Sequence, residues 1–140
     1  MALELVYEGL LSGLKNVASV DITDATEIVP GRVCCLSSVA GEVVFDGLLC
    51  GSAILTPFGI VADYKEDVVA SGKVSVYLNG MYKTDQVSGT PAKGDLLSFT
   101  ATGLFITAGS GDFVVATCTE EAGDDGYIEI SYNFAGVILV

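Results

Sequence analysis

The sequence predicts an all-β fold: a single antiparallel β-barrel or β-sandwich with short hairpins. Three observations predict it. Short runs rich in Val, Ile, Tyr and Phe recur along the chain. Gly, Pro, Asn and Asp punctuate them at roughly 8–12 residue spacing. Helical periodicity is confined to the first fourteen residues. The 140 residues suit one domain, read as an N-terminal arm or first strand over 1–20 and a barrel or sandwich over 21–140. No linker composition interrupts the second part. A hydrophobic content of 51% excludes a disordered chain.

The elements follow in order. Leu3, Tyr7, Leu10, Leu11 and Leu14 match one face of a helix, but Gly9 and Gly13 weaken it by about 1 kcal/mol each. Leu3 to Tyr7 reads equally as a strand, or as an arm laid on a partner. Lys15 to Ile22 alternates as a strand, and the turn Pro30-Gly31 introduces another from Arg32 to Leu36. Val43 to Phe45 and Ser52 to Leu55 are short runs, and Phe58 to Tyr64 follows Pro57. Lys73 to Leu78 places Val74, Val76 and Leu78 on one face and ends at Asn79-Gly80, which predicts a two-residue hairpin returning through Met81 to Thr84. Leu96 to Thr100 and Leu104 to Thr107 flank Gly103 as a second hairpin. Gly109 to Asp112 reads as a hairpin loop. Phe113 to Thr119, Tyr127 to Tyr132 and Gly136 to Val140 complete the set.

Charge and residue usage exclude several functions. Eighteen acidic against six basic residues give a formal net charge of −12. That sign repels a phosphate backbone, so no nucleic-acid partner is expected. Arg32 is the only arginine, and no basic segment suits an anionic membrane surface. No run approaches the ~20 apolar residues of a membrane helix. With no histidine in the chain, Ser-His and Cys-His nucleophile pairs and His-containing zinc sites are absent. The sequence therefore predicts no catalytic residues, no metal and no cofactor. The weighed alternative is a calcium site at Glu120, Glu121, Asp124 and Asp125, whose spacing departs from the EF-hand loop and reads as a solvated turn. Cys34, Cys35, Cys50 and Cys118 lack C-x-x-C spacing, so all four are expected as free thiols in a chain made in a cytosol. Cys34 and Cys35 are expected on opposite faces of one strand.

One ordered set of segments carries a resemblance. Pro57 to Asp63 is followed by Ser71 to Tyr77, then Tyr82-Lys83-Thr84-Asp85, Gly94-Asp95-Leu96-Leu97 and Gly103-Leu104-Phe105-Ile106-Thr107. This order resembles the small β-barrel capsid decoration, or cement, proteins of tailed bacteriophages, over about two thirds of the chain. The resemblance implies a non-enzymatic homotrimer on the major capsid protein of a phage head, located in the virion and assembled in the host cytoplasm. It implies that the N-terminal segment touches the shell or a neighbouring subunit, through Leu3, Leu5, Val6, Tyr7, Leu10, Leu11 and Leu14. A tail or head-fibre component and a non-viral ligand-binding β-module are the alternative readings.

Overall fold

The computed structural model describes residues 3–8, 17–21, 28–37, 43–44, 55–64, 66, 68, 71–133 and 139. Eleven strands lie within them: β1 (Leu3–Glu8), β2 (Val17–Asp21), β3 (Val33–Ser37), β4 (Val43–Val44), β5 (Leu55–Val61), β6 (Lys73–Tyr77), β7 (Gly80–Thr84), β8 (Leu96–Phe99), β9 (Phe105–Thr107), β10 (Ala116–Glu120) and β11 (Ile128–Tyr132). They form a six-stranded sheet, β1-β7-β11-β10-β8-β9, and a five-stranded sheet, β2-β6-β5-β3-β4. The strand pairings within both are antiparallel. The sheets stay open and form a sandwich, not a barrel.

Alternation along the strands sets the core. Tyr82, Ile128, Ile130, Tyr132, Leu97, Phe99 and Phe105 of the six-stranded sheet meet Val33, Cys35 and Ile60 of the other. The ring of Tyr77, on β6, lies 5.4 Å from that of Tyr82, on β7, and so bridges the two sheets. The five-stranded sheet is apolar on its far side as well: Cys34, Val61, Val74 and Val76 pack there with Ile28 and Val68. Cys34 and Cys35 thus occupy opposite faces of β3, as the period of two requires. Backbone hydrogen bonds from Val68 to Tyr64 and from Gly72 to Val68 give the β5–β6 connection a helical character.

Several expectations are corrected. Asn79-Gly80 does not close a hairpin, because β6 and β7 belong to different sheets. A type I′ turn needs positive φ at both central residues, and neither residue has it. Gly80 is instead the first residue of β7, paired with Tyr132 on one side and Glu8 on the other. The turn at Gly109 to Asp112 is tight, with Gly111 at φ 88°, but it joins β9 to β10 on opposite sides of β8 and so is not a hairpin loop. Residues 3–8 form a strand, not a helix. Pro57 lies within β5, opposite Cys35, where a register shift accommodates it. Proline is tolerated at such a bulge because the ladder there already lacks a bond. The hairpin around Gly103 is present as β8–β9.

Candidate functional site

Among the described residues, ionisable side chains gather at the β10–β11 end of the six-stranded sheet. An open groove of about 560 Å³ is lined by Lys83, Glu120, Glu121, Ala122, Gly123, Asp124, Asp125, Tyr127 and Glu129. The connection that forms its rim is a tight turn. Gly126 takes φ 78°, its N–H donates to the Gly123 carbonyl at 3.0 Å, and the Tyr127 N–H donates to Asp125 Oδ1 at 3.0 Å. A register shift between Cys118 and Glu120 bends β10 as it enters this turn. Lys83 reaches the groove because β7 pairs with β11 in the register that sets Lys83 opposite Glu129.

Five carboxylate side chains therefore share one mouth with a single lysine. Lys93 approaches Glu120 from outside, Nζ to Oε2 3.8 Å, with both side chains more than half exposed, so this pair contributes little. Among the described residues, no three Asp, Glu or Cys side chains converge on a point that suits a metal ion. The groove is open, and its carboxylates outnumber its one lysine five to one.

Several other polar side chains act within the fold. Arg32 Nε donates to Gln86 Oε1 at 3.0 Å, and Nη1 reaches the Thr102 carbonyl at 3.5 Å. Thr84, fully buried, donates to the Gly31 carbonyl at 3.2 Å and accepts from the Gln86 N–H at 3.1 Å. These bonds sew the turn before β3 to the end of β7. Asp95 Oδ2 accepts from the Ala92 N–H at 2.9 Å and shapes the turn into β8.

The described cysteines divide into two kinds, and Cys50 falls outside the described residues. Cys34 and Cys118 are buried thiols. Cys34 Sγ donates to the Gly59 carbonyl at 3.4 Å, and burial pushes its pKa from 9.0 up to about 12. Cys118 Sγ donates to the Glu120 carbonyl at 3.3 Å. Burial raises its pKa as well, and Asp95, Glu120 and Glu121 add to the rise. Both thiols are held protonated and unreactive. Cys35 is disulfide-bonded, which overturns the expectation of four free thiols. That expectation rested on compartment and on missing zinc spacing. Neither of these records which sulfurs the folded chain brings together.

Of the N-terminal residues, Leu3, Leu5, Val6 and Tyr7 lie on β1, where Leu3 is registered with Thr84, Leu5 with Tyr82 and Tyr7 with Met81. Leu10, Leu11 and Leu14 fall outside the described residues. Sequence reasoning alone did not bring Lys83 to the 120–129 turn, since only strand register does so. No helix among the described residues is long and apolar enough to cross a membrane. No protein-family model matches the chain, and no curated protein is significantly similar to it.

Proposed function

We propose that this chain is a non-enzymatic structural protein of a bacteriophage virion, a capsid decoration protein that binds the major capsid protein from outside as a homotrimer. The observation that carries the reading is the way the resembling segments sit in the fold. Gly94-Asp95-Leu96-Leu97 and Gly103 to Thr107 are the turn and hairpin of β8–β9, and the Gly103 carbonyl accepts the Val33 N–H of the other sheet at 2.7 Å. The segments that carry the resemblance lie on β5 and β6 of one sheet and on β7, β8 and β9 of the other. A net charge of −12 supports the same reading, because like-charged particles carrying many copies stay dispersed.

The N-terminal segment contributes to the shell contact in this proposal. Its leucines supply apolar area, and three copies acting together convert weak contacts into firm attachment. The test mixes purified protein with expanded heads that lack it, followed by sedimentation and gel densitometry. Saturable binding in multiples of three per local three-fold position is expected. The absence of binding to heads would end the decoration reading, and binding to tails instead would place the chain among tail components. A variant carrying Leu10→Ser, Leu11→Ser and Leu14→Ser changes no residue of β1. Unchanged head affinity in that variant would remove those three leucines from the contact.

A further inference from the structure

We propose that Asn79-Gly80 is a latent deamidation site, shut while Gly80 sits in the ladders of β7 and open only when the start of that strand leaves the sheet. The inference is independent of the proposed function. It starts from the residue pair itself. An asparagine loses its side-chain amide when the backbone nitrogen of the next residue attacks its Cγ. Glycine in that next position has no Cβ to hinder the approach. Of the three asparagines in the chain, Asn79 alone precedes a glycine.

The fold treats the two residues differently. Asn79 is exposed where the chain crosses between the sheets, and Gly80 is buried. Gly80 is registered with Tyr132 of β11 on one side and with Glu8 of β1 on the other. A residue flanked by a strand on each side directs its N–H into one of the two ladders. Attack requires that nitrogen to leave the ladder and its peptide plane to turn toward Asn79 Cγ. A type I′ hairpin would have the opposite effect, because Gly80 would then stand at the tip, outside any ladder. Neither residue takes the positive φ of that turn. The same crossing that replaces the hairpin therefore closes the site.

The reaction is a substitution followed by a hydrolysis. The Gly80 nitrogen gives up its proton and bonds to Asn79 Cγ, and the Cγ–N bond of the side chain breaks. The leaving nitrogen takes up the proton and departs as ammonia, which leaves a cyclic imide. Water then adds to either imide carbonyl carbon and opens the ring, returning an N–H to position 80. The product is aspartate or isoaspartate at position 79. Both add a negative charge to the crossing between β6 and β7. Isoaspartate also routes the backbone through the side chain and lengthens that crossing. An opening of β7 that lasts long enough is thereby made permanent.

The test compares the native full chain, the full chain unfolded in urea, and a synthetic peptide of residues 74–83 with and without urea, all at one mildly alkaline pH and one temperature. Lys73 and Lys83 make 74–83 a tryptic peptide whose only asparagine is Asn79. Mass spectrometry of the digest reads the conversion of amide to acid. The unfolded chain should react as fast as the peptide, and the native chain at least about tenfold more slowly. A native chain that keeps pace with the peptide would overturn the proposal. A second measurement ties the protection to the ladder. At urea concentrations below the unfolding midpoint, the deamidation rate and the hydrogen-exchange rate of the Gly80 amide should keep one ratio, since one opening permits both. Deamidation that changes while the Gly80 amide does not, or a Gly80 amide that exchanges in the native chain as it does in the peptide, would also overturn it.

Discussion

Tyr82 and Tyr132 are neighbours in the same core and almost fully buried, yet their hydroxyls fare differently. The Tyr82 hydroxyl donates to the Leu78 carbonyl at 2.8 Å. The Tyr132 hydroxyl is buried and has no hydrogen-bond partner among the described residues, and burial raises its pKa. A satisfied buried hydroxyl contributes about 1 kcal/mol, while an unsatisfied one costs a comparable amount. Tyr82→Phe should therefore destabilise by about 1 kcal/mol, and Tyr132→Phe should be neutral or stabilising. Urea melts of the two variants check this, and the reverse order would show that the Tyr132 hydroxyl has a partner. Cys34 makes a second prediction, in pH. Its folded pKa, about 12, lies above the ordinary 9.0, so above pH 9 the unfolded chain gives up a proton that the folded chain keeps. The stability contributed is full below pH 9 and falls by about 1.4 kcal/mol per pH unit from there to pH 12. Cys34→Ala should lose less stability than the wild type between pH 9 and 11. Parallel losses would show that the thiol does not titrate as its burial requires.

At the scale of elements, β5 and β6 approach closely at Gly59. A Cβ built there would lie 2.7 Å from the Tyr77 carbonyl oxygen and 3.2 Å from the Val76 Cβ. The nearest atom is backbone, so a rotamer change cannot relieve the contact. Gly59→Ala should then cost about 1–3 kcal/mol through displacement of β6. Circular dichroism melts measure the loss, and an unchanged midpoint would mean that the two strands separate freely. The end of β6 is where the sequence misleads. Val74, Val76 and Leu78 alternate as expected, and they do face one cluster. Asn79-Gly80 follows them with favourable hairpin chemistry, but the chain turns across the sandwich and not back along β6. Pairing with β1 and β11 on both sides of β7 provides two ladders, whereas a hairpin with β6 would displace β2 or β5 from β6.

For the whole molecule, the excess of twelve negative charges sets a self-repulsion, to which Glu120, Glu121, Asp124, Asp125 and Glu129 contribute together in one groove. Screening shortens from about 30 Å at 0.01 M salt to about 10 Å at 0.1 M. Added sodium chloride should raise the melting temperature between 10 and 300 mM, because it relieves repulsion that the compact state suffers most. A fall over that range, in differential scanning fluorimetry, would mean that attractive pairs outweigh the repulsion. Calcium at millimolar concentration should do no more than sodium at equal ionic strength. A much larger rise would identify the groove as a specific site, since a ligand at a hundred times its Kd adds about 2.7 kcal/mol.

The all-β class, the turns at Pro30-Gly31, Gly94-Asp95 and Gly103, and the opposite facing of Cys34 and Cys35 were legible in the residues alone. All of these follow from local rules: side chains alternate with a period of two, and glycine alone adopts positive φ without strain. The acidic turn at 123–126 was legible for the same reason. Only the tertiary structure decided which strands pair, that Asn79-Gly80 crosses between sheets, that Lys83 joins the 120–129 turn, and that Cys35 is bonded while Cys34 is not. Register and sheet membership are set by long-range burial. Moving a strand to another partner leaves its local alternation unchanged, so the sequence pattern carries no mark of the choice.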